Sequence, residues 1–156
     1  MAAASLVATA FGVIIILITA YILAAGIIGL AISVAEAQKE MNVMTIKASG
    51  TSINITGYSG YDPLSLEIRN TGSEQIDYSH IDVFLKDGDK IPDYYKRDLS
   101  GATGWQLITI TPDSVYPSAW DPGETLAISV NTGGKNYTWV KVTTPVGVST
   151  SRYLRE

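Results

Sequence analysis

Two hydrophobic rhythms divide this chain. From Met1 to Ala35 no Lys, Arg, Asp, Glu or His interrupts a run of apolar and small residues with a few hydroxyls, and Glu36 is the first charge. A bilayer core of roughly 30 Å is crossed by about 20 helical residues, so this run can span one with length to spare. Ile14, Ile15, Ile16, Leu17, Ile18, Ile22, Leu23, Ile27 and Ile28 make its centre apolar on every side. Such a segment suits lipid or the middle of a protein bundle, not an amphipathic helix lying in water. Glu36 to Glu40 are good helix formers without a breaker, so the helix is expected to continue a turn or more beyond the apolar run.

From Val43 on the helical period gives way to short alternations. Met44, Ile46 and Ala48 form the first, Ile53 and Ile55 the second, and Leu64, Leu66 and Ile68 the third, with Ser65, Glu67 and Arg69 between the last set. Period two with polar alternates predicts half-buried strands. Further runs follow at Ile81 to Lys86, Gln106 to Thr111, Leu126 to Asn131 and Tyr137 to Thr143, and Pro112 stops the second of these. Turn chemistry lies between them. Asn70-Thr71-Gly72-Ser73 and Thr132-Gly133-Gly134-Lys135 predict tight turns between antiparallel strands, and Asp87-Gly88-Asp89 follows the run ending at Lys86. Asp121-Pro122-Gly123-Glu124 places Pro where φ is already fixed and Gly where a type II turn needs a positive φ. About seven or eight short strands with no helix among them are the pattern of an antiparallel, immunoglobulin-like β-sandwich. The expected fold is mainly β: a hydrophobic membrane helix with a short polar extension over residues 1–42, then a sandwich over 43–156.

Composition refines this reading in a few places. The chain has 156 residues, a net charge of -4 and an apolar fraction of 46%, which the helix inflates. The remainder is large enough for one domain with its own core. Nothing in it forms the basic patch that nucleic acid requires. The absence of cysteine excludes disulfides and thiolate chemistry. A cleaved signal peptide competes for the N-terminal run, but it would open on basic residues, and the first Lys is Lys39. Ala25, Gly26 and Gly29 stand three and four apart, a spacing that lets a second helix approach closely. Asn54-Ile55-Thr56 and Asn136-Tyr137-Thr138 are N-glycosylation acceptors, and together they lean toward an exterior soluble domain.

Candidate chemistry is sparse. Trp105, Trp120 and Trp139 are expected to anchor the core or its rim. The longest irregular stretch, Asp87 to Gly104, holds Tyr94, Tyr95 and Arg97, residue types that often carry interface energy, and these three are the candidate partner-binding residues. His80 is the only histidine, so a triad or a His-rich metal site would have to be built on it alone, and its setting suggests a strand edge. Asp87, Asp89 and Asp93 could offer oxygens to Ca²⁺, but their spacing lacks the distal Glu of an EF-hand and a solvated turn is the simpler reading. Neither a phosphate-binding G-x-x-x-x-G-K-[ST] loop nor a G-x-S-x-G elbow is present. The sequence therefore predicts no catalytic residue, no metal and no cofactor, and a protein that is not an enzyme.

An N-terminal apolar helix joined to a small β-sandwich is shared by archaeal flagellins, type IV pilins and the membrane-bound accessory proteins of the archaeal motility filament. The soluble half resembles the FlaF family of archaellum stator proteins. The resemblance rests on Leu66 to Gly72, Ile81 to Gly88, Trp120 to Leu126 and Val140 to Val148, in that order and spacing. It implies a protein anchored in the archaeal cell membrane, with its sandwich outside, binding the surface-layer (S-layer) protein and giving the rotating filament static support. Other archaellum components are implied partners, and homo-oligomerisation is compatible with it. The competing expectation is a flagellin or pilin-like subunit of an extracellular filament, its helix packed in the filament core. Such subunits carry a short basic leader that is cut off. This chain starts at Met1 without one, so the helix is expected to stay in the membrane.

Overall fold

The computed structural model describes residues 2–100 and 103–154. Met1, residues 101–102 within the expected contact loop, and residues 155–156 lie outside it. The chain divides into two units, Met1–Val43 and Met44–Glu156.

A single helix, α1 (Ala2–Gly50), accounts for the first unit and supplies the first residues of the second. Val7 onward is long and apolar enough to cross a membrane. Its large side chains are exposed all round, as the uncharged run predicts. Hydroxyls within the apolar run turn back on the helix: Thr19 donates to the Ile15 carbonyl at 2.8 Å and Ser33 to that of Gly29 at 3.1 Å, so neither needs a partner from outside.

The strand expected over Met44 to Ala48 is a correction, because α1 continues through it to Gly50. Lengthening an existing helix needs no new nucleus, so three alternating apolar residues were too weak a signal to end it. Side chains also support the last turns. Ser49 Oγ donates to the Thr45 carbonyl at 2.8 Å and Thr51 Oγ1 to that of Lys47 at 2.7 Å. Gly50 then closes the helix against the chain after the second strand: its carbonyl accepts the N–H of Ser73 at 2.8 Å and of Glu74 at 3.2 Å. Terminal carbonyls that a helix leaves unpaired are satisfied here by another loop. Gly72 makes this approach possible, since a Cβ there would land on the Gly50 carbonyl oxygen and the Ser52 nitrogen.

Among the described residues the second unit contains eight strands: β1 (Ile53–Ser59), β2 (Leu64–Asn70), β3 (Asp82–Lys86), β4 (Asp93–Tyr95), β5 (Gly104–Thr111), β6 (Thr125–Asn131), β7 (Trp139–Thr143) and β8 (Ser149–Tyr153). They form two antiparallel four-stranded sheets, β1-β2-β6-β5 and β4-β3-β7-β8. The order is that of an immunoglobulin-like sandwich with β4 as an added edge strand. Alternation fixes which side chains face inward. Leu66, Ile68, Ile128 and Val130 from one sheet meet Val83, Leu85, Val140 and Val142 from the other, all fully buried. Trp105 and Trp120 lie in the same core, their indole N–H groups donating to the carbonyls of Ile81 at 3.3 Å and Glu124 at 3.1 Å. Trp139 is only half-buried.

Two of the expected tight turns are also corrections. Asn70–Ser73 leaves β2, whose neighbours are β1 and β6, and Thr132–Lys135 leads from β6 to β7 in the other sheet. Both are crossings between sheets. Adjacent strands are instead joined by the β1–β2, β3–β4, β5–β6 and β7–β8 connections. Local turn residues mark where a strand stops; which strand it pairs with next is decided by core packing. The Asp121–Glu124 turn forms as expected, with Gly123 at φ +85° and the Glu124 N–H donating to the Asp121 carbonyl at 3.2 Å. Where the edge strands β1 and β8 of the two sheets meet, Arg152 Nη1 donates to the carbonyls of Ile55 and Thr56 at 3.0 Å each, at the β1 bulge.

Candidate binding surface

The stretch expected to be an irregular loop contains a strand. Asp93–Tyr95 is β4, paired with β3 through Val83↔Tyr95, Phe84↔Tyr94 and Leu85↔Asp93. Three residues are too few for alternation to show in the sequence, yet alternation governs where their side chains go. Tyr94 and Tyr95, adjacent in the chain, face opposite ways.

Tyr95 points with Val83 toward the core side and packs against it. Its hydroxyl meets that of Tyr137 at 2.7 Å, and Tyr137 in turn donates to Asp93 Oδ2. A phenol has one proton, so Tyr95 is the donor to Tyr137. Lys135 Nζ reaches the same Asp93 oxygen at 2.9 Å. The bonds from Tyr137 and Lys135 hold the Asp93 carboxyl below the usual carboxylate range, and Asp93 raises the Lys135 ammonium. Burial, then the bonds to Asp93 and Tyr95, pushes the Tyr137 phenol well up. These four residues form a structural strut between β4 and the β6–β7 connection.

Arg97 is also engaged within the domain. Its guanidinium lies over the rings of Tyr78, 5.1 Å from the centroid, and Trp105, 6.0 Å away, while its backbone bridges β5 at Trp105. Tyr94 alone of the three candidate residues has a large exposed area, 55%. Its hydroxyl donates to Asp82 Oδ1 at 2.6 Å, which raises the phenol. Its ring leans on Phe84 with centroids 5.3 Å apart.

The remaining candidates are scattered. Ala25, Gly26 and Gly29 are exposed on α1, and a Cβ at either glycine would meet nothing within 4 Å. Asn54 lies exposed on β1 opposite Arg69, and Asn136 lies exposed on the β6–β7 connection. His80 ends a short 3-10 turn, Tyr78–His80, with Nδ1 2.8 Å from Asp77. Ser79 Oγ donates to the same carboxylate at 2.6 Å, and this bond leads in holding Asp77 low. Serine, histidine and aspartate thus meet, but the hydroxyl addresses the carboxylate and not the imidazole. No base activates it, and the cluster acts as a cap. Asp87 pairs with Lys90 at 2.6 Å in the β3–β4 connection.

Register assembles a surface that the linear sequence conceals. Phe84 lies opposite Tyr94 on one side and Lys141 on the other, and Trp139 lies between Lys86 and Tyr153. Directly opposed residues share a sheet face. The outer face of β4-β3-β7-β8 therefore gathers four aromatic rings and two lysines from four separate strands.

No family model and no curated protein sequence matches the chain. Solved structures resemble it, among them two of archaellum stator proteins. The archaellum periplasmic stator protein FlaG from Sulfolobus acidocaldarius has a TM-score of 0.50 and 14% identity, covering 65% of this chain and 97% of its own. The archaellum periplasmic stator protein complex of FlaF and FlaG from the same organism gives a TM-score of 0.49 and 13% identity, covering 64% of this chain and 85% of the other. The sandwich fold described above is one this chain has in common with an archaellum stator protein.

Proposed function

We propose that this protein is a membrane-anchored structural component of the archaeal motility machinery. In this reading α1 holds it in the cell membrane and the sandwich, outside, binds the surface-layer protein and other archaellum components as a static support. The observation that carries the reading is the joining of an uncharged, membrane-length helix to a sandwich sharing its fold with a periplasmic stator protein. Exposed acceptors at Asn54 and Asn136 agree with an exterior domain.

One observation favours a filament subunit instead. The 49-residue helix is longer than a bilayer requires, and a filament core can use such length. Fractionation separates the two. The stator reading expects the full chain in the membrane pellet, resistant to high salt, with the sandwich open to protease added outside the cell and able to bind isolated surface-layer protein. Recovery of a shortened chain in sheared filaments would replace it with the filament reading.

A further inference from the structure

The outer face of β4-β3-β7-β8 differs from that of β1-β2-β6-β5. On the two central strands of the latter, register brings Ser65 opposite Ser129, Glu67 opposite Ala127 and Arg69 opposite Thr125, small and hydroxyl residues with a balanced charge pair, while Ile108 stands exposed at the β5 bulge. On the former, Tyr94 and Phe84 stack across β4 and β3, while Trp139 and Tyr153 are paired across β7 and β8. Tyr153 is 71% exposed and Tyr94 55%. A tryptophan, two tyrosines and a phenylalanine on one open face are the residue types that dominate binding energy at protein interfaces. They add nothing to the core, which Val83, Leu85, Val140 and Val142 fill from the other side of the same strands.

Charge narrows the partner. The protein as a whole is acidic, with 15 Asp and Glu against 11 Lys and Arg. This face reverses the sign. Lys86 and Lys141 stand on it without a carboxylate partner among the described residues, and its one carboxylate, Asp82, already accepts the Tyr94 hydroxyl. A second copy docking symmetrically here would bring like charges together, which costs affinity.

Resting on the stator reading, we propose that this aromatic face, with Lys86 and Lys141 among its rings, is where the sandwich docks an acidic protein surface of the surface-layer lattice. The rings supply apolar area in a flat layer, and the lysines orient the partner and speed encounter.

The test uses the full chain in detergent and isolated surface-layer protein as the probe. Two double variants address the face: Lys86→Glu with Lys141→Glu, and Tyr94→Ser with Tyr153→Ser. Arg69→Glu on the other sheet is the control. Each double variant is expected to weaken binding at least about tenfold, roughly 1.4 kcal/mol. The lysine pair should also flatten the salt dependence, while the control and the melting midpoints stay near those of the parent. If the parent binds and both double variants bind equally well, the face is wrong and the stator reading stands. If the parent itself fails to bind, the lattice reading and this inference fall together. Loss in the tyrosine pair with a silent lysine pair would point to a neutral surface such as glycan and overturn the acidic partner. Sedimentation showing a dimer that the lysine pair abolishes would assign the face to self-association.

Discussion

At the scale of single residues, exposure separates side chains of the same type. Trp120 is enclosed on all sides and its N–H is held by the Glu124 carbonyl, whereas Trp139 covers the outside of β7. Trp120→Ala should cost about 3 to 5 kcal/mol in denaturant titration, and Trp139→Ala less than about 2 kcal/mol. Equal losses would mean that the outer face is as tightly packed as the core. The sequence marked both tryptophans as anchors without ranking them, because burial depends on the face of the sheet each residue occupies. Tyr94 and Tyr95 show the same limit. Their types singled them out, but only pairing with β3 sends Tyr95 inward and Tyr94 outward.

At the scale of elements, most boundaries were legible, since apolar runs with polar alternates survive in β1, β2, β3, β5, β6 and β7 almost where the pattern set them. What escaped was decided by partners. β4 has too few residues to show a period, and the helix outran its pattern because propagation is easy once a nucleus exists. The crossings after β2 and β6 resemble hairpin turns in composition because stopping a strand takes the same residues whether the chain turns back or changes sheet. Gly72 tests the least legible feature, the seating of the last helical turn. Gly72→Val should destabilise the sandwich by about 1 to 3 kcal/mol through overpacking against backbone that cannot yield. It should also speed amide exchange over Lys47–Gly50. Unchanged exchange there would show that the contact with Ser73 and Glu74 does not hold the helix end.

At the scale of the whole molecule, the eight-strand unit has its own continuous core, so the segment from Met44 on should melt cooperatively without the residues before it. Its stability should fall in acid. The Asp93 and Asp77 carboxyls are held below their usual range, so the stability they contribute is present above about pH 4, their unfolded value, and is lost as pH falls through the lower folded values. Asp93→Asn should shrink that loss; a variant that loses as much stability between pH 5 and 2 as the parent would remove the strut from the account. The seating of α1 has a mechanical consequence as well. The Ser73 and Glu74 N–H groups hold the Gly50 carbonyl, and those of Thr71 and Gly72 hold that of Ser52 at 2.8 and 3.1 Å. A pull arriving along the helix is therefore shared among four short main-chain bonds before it reaches β1. Sharing stiffens the seat of the last helical turn against brief tugs.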